Sequence, residues 1–190
     1  MTDFEFIFAL YALVLGLSLV ELLAGLGRAL EQAFAAEDAK ARFKIGWLTP
    51  LLAIFVMLDL LSFWAFAWTV RELLSVSTAT LLAVMAFASL YYLASRLVFP
   101  GDPDQFSDLD NHYFRIKRTV LGMLIALVFV QWAYLLSIAP LREVLLTPLS
   151  IGLTLLLLGL MALAFSLKDK RFSAIVLVAL NLRYLFLYLS

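Results

Sequence analysis

Six stretches of this chain are apolar enough and long enough to cross a lipid bilayer, and no other feature restricts the fold as strongly. A helix needs about 20 apolar residues to cross a hydrocarbon core about 30 Å thick. In lipid, every backbone polar group must bond within the protein, which favours helices as the spanning elements. The stretches cover residues 4–26, 47–70, 77–99, 119–139, 145–167 and 172–189. They predict an all-α fold, a polytopic six-helix transmembrane bundle that contacts the lipid bilayer and forms one domain over residues 1–190.

The composition agrees with a membrane protein and excludes a water-soluble globule. Hydrophobic residues make up 65% of the chain and charged residues 15%, against about 45–50% and about 25% in soluble domains. The net charge is zero, so no basic surface indicates a nucleic-acid partner. Cysteine is absent, which excludes disulfides and thiolate chemistry.

The positions of Lys and Arg predict the orientation of the spans. The first, third and fifth connections are rich in these residues, whereas the second and fourth carry only Arg71 and Arg142. Connections rich in Lys and Arg stay on the cytoplasmic side. We therefore expect the odd connections in the cytoplasm, both termini on the non-cytoplasmic side, and the plasma (inner) membrane as the location. The first helix is expected to continue beyond the membrane as far as Ala36, since no Pro or Gly interrupts this segment after residue 27.

Two ionisable residues are predicted near the middle of the membrane. Asp59 lies about 18 Å from the start of the second span and Arg183 about 16 Å from the start of the sixth, at about 1.5 Å per residue. These spans run in the same direction, so the opposite charges lie at the same height. The sequence predicts a direct Asp59–Arg183 pair. A fixed structural pair is favoured over a proton or ion relay, because a relay needs several acidic groups along a path.

Glu21 and Arg96 form a second predicted pair, since both lie near the cytoplasmic ends of helices that run the same way. Two alternatives stay open. Arg28 competes for Glu21 from the same helix face, and Arg96 could extend to the membrane surface instead. Other polar side chains are predicted to face the bundle interior, either as ordinary hydrogen-bonding groups between helices or as an extension of an ion path. They are Ser18, Gln131, Tyr134, Asn181 and Tyr184.

The third connection contains the acidic residues Asp102, Asp104, Asp108 and Asp110, followed by the single histidine, His112. A cation site is one interpretation, but the spacing lacks the glycine and terminal glutamate of an EF-hand loop. A solvated loop is favoured. From Asp108 onward, an interfacial helix capped by Ser107 or Asp108 is a further expectation.

The tetrad Leu-Thr-Pro-Leu occurs at residues 48–51 and again at 146–149. If the chain consisted of two three-helix halves, these sites would be equivalent and the halves would form an inverted repeat, as in many transporters. Chance is favoured, because these residue types are common at helix starts.

No motif for catalysis or cofactor binding is present. The chain lacks a phosphate-binding loop, a dinucleotide fingerprint and a zinc-protease motif, so we expect no enzyme activity and no cofactor. The favoured hypothesis is a non-enzymatic structural or partner-binding membrane subunit, whose partner is another membrane protein or a second copy of this chain. The alternative is a small transporter or channel with a polar path through Asp59, Arg183 and Glu21.

Overall fold

The computed structural model describes residues 3–35, 44–69, 71, 77–101 and 108–189. Within these ranges the chain forms seven helices. They are α1 (Asp3–Ala35), α2 (Leu48–Thr69), α3 (Thr78–Val98), α4 (Leu109–Leu136), α5 (Ala139–Leu145), α6 (Pro148–Ser166) and α7 (Lys170–Leu189). All except α5 are long and apolar enough to cross a membrane. The predicted all-α, six-span, multi-pass membrane bundle is confirmed.

The structure differs from the predicted spans in two places. The fourth span was expected from residue 119, but α4 begins at Leu109, and the side chain of Asp108 caps it by accepting a hydrogen bond from Asp110 N at 2.8 Å. The predicted interfacial helix is therefore the first part of α4, not a separate element. The short α5 was not predicted, and Pro140 lies in its first turn. The continuation of the first helix is confirmed as far as Ala35; Ala36 lies outside the described residues.

The second helix lies at the centre of the bundle. It contacts α1, α3, α4 and α7, while α4 packs against α3, α5 and α6 on its other sides. Leu52, Phe55 and Val56 of α2 are fully buried, because this face of the helix meets protein rather than lipid. A polar residue on α2 is therefore enclosed by several other helices.

The two halves of the chain do not pack alike, which weighs against an inverted repeat. The first helix packs extensively along α3. In an inverted repeat α4 and α7 would pack in the same way, but these two described helices make almost no contact. The repeated Leu-Thr-Pro-Leu tetrad is explained by its local role at helix starts. For example, Thr147 caps α6 through a hydrogen bond from Ser150 N, and Pro148 occupies the first turn.

Polar contacts join three helices at the end of the bundle where they begin. The backbone N–H of Leu48, the first residue of α2, donates to Asp110 Oδ1 of α4 at 3.1 Å. Thr49 donates its hydroxyl to the Leu109 carbonyl at 2.7 Å. Lys170 at the start of α7 lies 3.3 Å from Asp108 Oδ2 and 3.5 Å from Asp110 Oδ2. The starts of α2, α4 and α7 are thereby held together at the predicted cytoplasmic side.

The packing of α1 on α3 predicts different effects for two glycines of α1. A Cβ atom at Gly25 would lie 2.5 Å from Cδ2 of Phe99, whereas a Cβ at Gly16 would meet no atom within 4 Å. We expect Gly25→Ala to destabilise the protein by about 1–3 kcal/mol through overpacking. The matched control Gly16→Ala should be neutral or slightly stabilising, because Ala favours helix over Gly by about 0.5–1 kcal/mol. Thermal unfolding in detergent measures both, and equal melting temperatures for the two variants would contradict this packing.

Candidate functional site: an intramembrane cavity beside Asp59

Asp59 is buried in the middle of α2, and two tyrosines from other helices bind its carboxylate. The residue is 4% exposed. The Tyr91 hydroxyl of α3 donates to Oδ2 at 2.6 Å, and the Tyr184 hydroxyl of α7 donates to Oδ1. Hydrogen bonds to an ionised group are shorter and stronger than those between neutral groups. Both carboxylate oxygens therefore have partners, and α2, α3 and α7 meet at this one side chain.

Arg183 does not form the predicted direct ion pair with Asp59. Among the described residues, no acidic side chain lies within 4.0 Å of its guanidinium. Instead, Nη2 donates to the Leu153 carbonyl of α6 at 3.1 Å, and the guanidinium carbon lies 5.0 Å from the centre of the Tyr184 ring. Successive helical residues point about 100° apart at 3.6 residues per turn. Since Tyr184 faces Asp59, its neighbour Arg183 is turned towards α6.

A cavity of about 290 Å³ lies between α2, α3, α4, α6 and α7, and both Asp59 and Arg183 line it. It extends from Asp59 towards Phe66, Leu135 and Tyr188, which lie near the ends of α2, α4 and α7. The cavity therefore occupies the half of the bundle that was predicted to face the non-cytoplasmic side. Its other polar lining residues are Ser62, Tyr91, Gln131, Thr154, Tyr184 and Tyr188.

Of the five polar residues predicted to face the interior, the structure brings two to this cavity, Gln131 and Tyr184. The others lie elsewhere. Ser18 is buried in α1 and donates to the Val14 carbonyl at 3.0 Å. Asn181 links α7 to α2 by donating to the Leu51 carbonyl at 3.1 Å. The side chain of Tyr134 is 39% exposed, so it does not face the interior.

Glu21 and Arg96 lie together but away from the cavity. Arg96 Nη1 of α3 is 3.4 Å from Glu21 Oε2 of α1, and the side chains are 44% and 26% exposed. Neither residue lines the cavity beside Asp59. The four ionisable residues therefore form two separate groups instead of one continuous path.

The acidic connection is only partly described. Asp102 and Asp104 lie outside the described residues. Asp108 and Asp110 cap α4 and α2 and pair with Lys170, while His112 Nε2 lies 3.4 Å from the Leu97 carbonyl. Within the described ranges, no group of three His, Asp or Glu side chains could hold a metal ion. Asp108 and Asp110 thus stabilise the first turns of α4 and α2.

Four residues that line the cavity were not predicted from the sequence to be site residues, namely Tyr91, Ser62, Trp132 and Thr154. One of them carried a usable signal. Ser62 lies three residues after Asp59 on α2 and therefore shares its helix face, with its hydroxyl bonded to the Asp59 carbonyl at 2.7 Å. Tyr91 carried no such signal, because its contact with Asp59 depends on how α3 packs against α2.

Comparison with protein-family models finds no match, and comparisons with curated proteins and with solved structures also find none. What is established is a multi-pass membrane protein with six apolar spanning helices.

Removing either tyrosine hydroxyl should weaken the bundle. A hydrogen bond to a charged group contributes about 1.5–3 kcal/mol, so Tyr91→Phe and Tyr184→Phe should each lower the free energy of unfolding by about that amount. Tyr11→Phe is the matched control, since the buried Tyr11 hydroxyl has no hydrogen-bond partner among the described residues. Unfolding of the purified protein in detergent measures the differences. If all three variants unfolded alike, the tyrosine contacts to Asp59 would be refuted.

Proposed function

We propose that this protein is a non-enzymatic membrane transport protein that admits a small polar solute to the cavity beside Asp59. The observation that carries this proposal is the cavity of about 290 Å³ lined by both Asp59 and Arg183. Ligand sites between helices commonly combine apolar walls with a few polar groups. The apolar side chains Phe63, Val128 and Leu157 form such walls here.

The cost of the charged residues supports a role in solute binding. An Asp or Arg at a helix centre costs about 2.5–3.5 kcal/mol on membrane-insertion scales. Ionisable residues within membrane spans usually line water-filled cavities or substrate paths for this reason. A bundle that served only as a scaffold could pair the two charges directly, or replace them with apolar residues. Here the two residues form no direct ion pair, and both line the cavity.

The distribution of open space and buried side chains supports access of the solute from the predicted non-cytoplasmic side. The cavity lies in the half of the bundle where α2, α4 and α7 end. In the other half these helices contribute fully buried apolar side chains, namely Leu52, Leu121, Leu124 and Leu177. Closure on the predicted cytoplasmic side with open space on the other is the arrangement of an outward-facing state in alternating access.

A partner-binding membrane subunit is the second candidate, and the surface of α6 favours it. Gly152 and Gly159 are seven residues apart on this helix, and a Cβ at either would meet no atom within 4 Å. Small residues on a lipid-facing surface allow another helix to approach closely. The occupant would be another membrane protein or a second copy of this chain. Co-purification of a stoichiometric partner from the native membrane would favour this candidate.

Cysteine labelling tests access to the cavity directly, because the chain contains no cysteine of its own. Thr154→Cys places a thiol at the cavity lining, and a water-soluble, membrane-impermeant maleimide requires an ionised thiol in contact with water. We expect labelling of this variant from the predicted non-cytoplasmic side of intact vesicles.

Leu155→Cys is the matched control, since Leu155 is the next residue, does not line the cavity and is 64% exposed on the lipid-facing surface. It should remain unlabelled because lipid surrounds it. Transport further requires that Thr154→Cys can also be labelled from the opposite side when the protein changes state. No labelling from either side would overturn the proposed function.

A further inference from the structure

We infer that the ligand of this cavity carries an oxyanion group, a carboxylate or a phosphate, and that Arg183 binds it. The inference rests on the proposed function, because it names the chemical class of the solute. Its basis is that Arg183 lines the cavity and that two of its three guanidinium nitrogens have no hydrogen-bond partner among the described residues.

The hydrogen bonds of Arg183 leave part of its donor capacity unused. Nη2 donates to the Leu153 carbonyl at 3.1 Å and so fixes the guanidinium against α6. Nε and Nη1 are buried and have no hydrogen-bond partner among the described residues. An unsatisfied buried donor is costly, and more so if it is charged. A ligand that supplies an acceptor at this place therefore gains a strong contact.

No acidic side chain of the described chain supplies that acceptor. Asp59 also lines the cavity, but its two oxygens accept hydrogen bonds from Tyr91 and Tyr184. At 4% exposure it presents little of its charge to the cavity. Glu21 pairs with Arg96 outside the site. The chemical complement of the free guanidinium donors is then a carboxylate or phosphate oxygen, which arginine binds well because its donors match that geometry.

The rest of the cavity limits the size of the ligand. Small-molecule sites range from about 300 to 1,000 Å³, and about 290 Å³ lies at the lower end. Gln131 and Thr154 line it and could contact a second polar group, while Trp132 offers an aromatic surface. These features fit a small organic acid or a phosphate monoester. They do not fit a large amphiphile enclosed entirely within the cavity, although a lipid could insert its head group alone.

The test compares two anionic probes with one neutral probe. Purified protein in an uncharged detergent is heated with benzoate, with inorganic phosphate, or with benzamide, the neutral amide that matches benzoate in size. We expect benzoate or phosphate to raise the melting temperature by binding the native state, and benzamide to leave it unchanged. Equal stabilisation by benzoate and benzamide, or none by any anion, would overturn the inference.

Variants then locate the binding site. Arg183→Gln should weaken the apparent affinity for the stabilising anion about 10- to 100-fold, the equivalent of a hydrogen bond to a charged group. Arg183→Lys keeps the charge but not the planar donor group, so its affinity should lie in between. The control Arg142→Gln, on the exposed surface of α5, should bind as the unmodified protein does. Undiminished binding by Arg183→Gln would also overturn the inference. If that variant did not fold, the comparison of benzoate with benzamide would still test whether the protein binds an anion in preference to a neutral probe.

A lipid head group could supply the same oxyanion group. A further experiment distinguishes a bound lipid from a soluble anion. Delipidated protein is heated with phosphatidylglycerol or with diacylglycerol, which lacks the phosphate. Stabilisation by phosphatidylglycerol alone that depends on Arg183 would support the oxyanion site but assign it to lipid, against solute transport. The Thr154→Cys labelling fails or succeeds independently of these results. An accessible cavity without anion binding would therefore leave the proposed function standing and remove only this inference.

Discussion

The carboxylate of Asp59, held by the hydroxyls of Tyr91 and Tyr184, is the interaction on which the arrangement of this bundle depends. A lone carboxylate in the middle of a membrane is unfavourable unless other groups bind it. Here the two donors come from α3 and α7, so the need to satisfy one charge joins three helices midway along α2. Because the tyrosines satisfy Asp59, Arg183 has no acidic partner among the described residues, and it lines the cavity. The geometry that stabilises one charge thereby leaves the other beside the cavity.

The two ends of the bundle differ in a way that fits this arrangement. At the predicted cytoplasmic end, Asp110 and Lys170 join the starts of α2, α4 and α7. Nearby, Lys117 of α4 donates to the Ala164 carbonyl at 3.0 Å and to the Leu167 carbonyl, which satisfies free carbonyl groups at the end of α6. The opposite end holds the cavity between the same helices. Polar contacts close one end of the bundle, and open space remains at the other.

The spans could be predicted from the sequence because the thickness of the bilayer fixes the length of an apolar helix. The short α5 was missed because a two-turn helix carries no such length requirement. Counting the rise per residue placed Asp59 and Arg183 at the same height, but it gave no rotation about the helix axes. For this reason a direct Asp59–Arg183 pair was predicted. In the structure Tyr184, and not Arg183, faces Asp59. Tyr91 lay beyond sequence reasoning, because its contact depends on tertiary packing. The orientation from Lys and Arg stays a prediction.

Double-mutant cycles on the free energy of unfolding test the central claim most directly. One cycle combines Asp59→Asn with Tyr184→Phe, and the other combines Asp59→Asn with Arg183→Gln. If the tyrosine binds the carboxylate and the arginine does not, the first coupling energy should be in the range of about 0.5–3 kcal/mol that contacting residues show. The second should be clearly smaller. A larger coupling of Asp59 to Arg183 than to Tyr184 would contradict the account, since it would mean that the two charges pair directly and that the guanidinium is not free for a ligand.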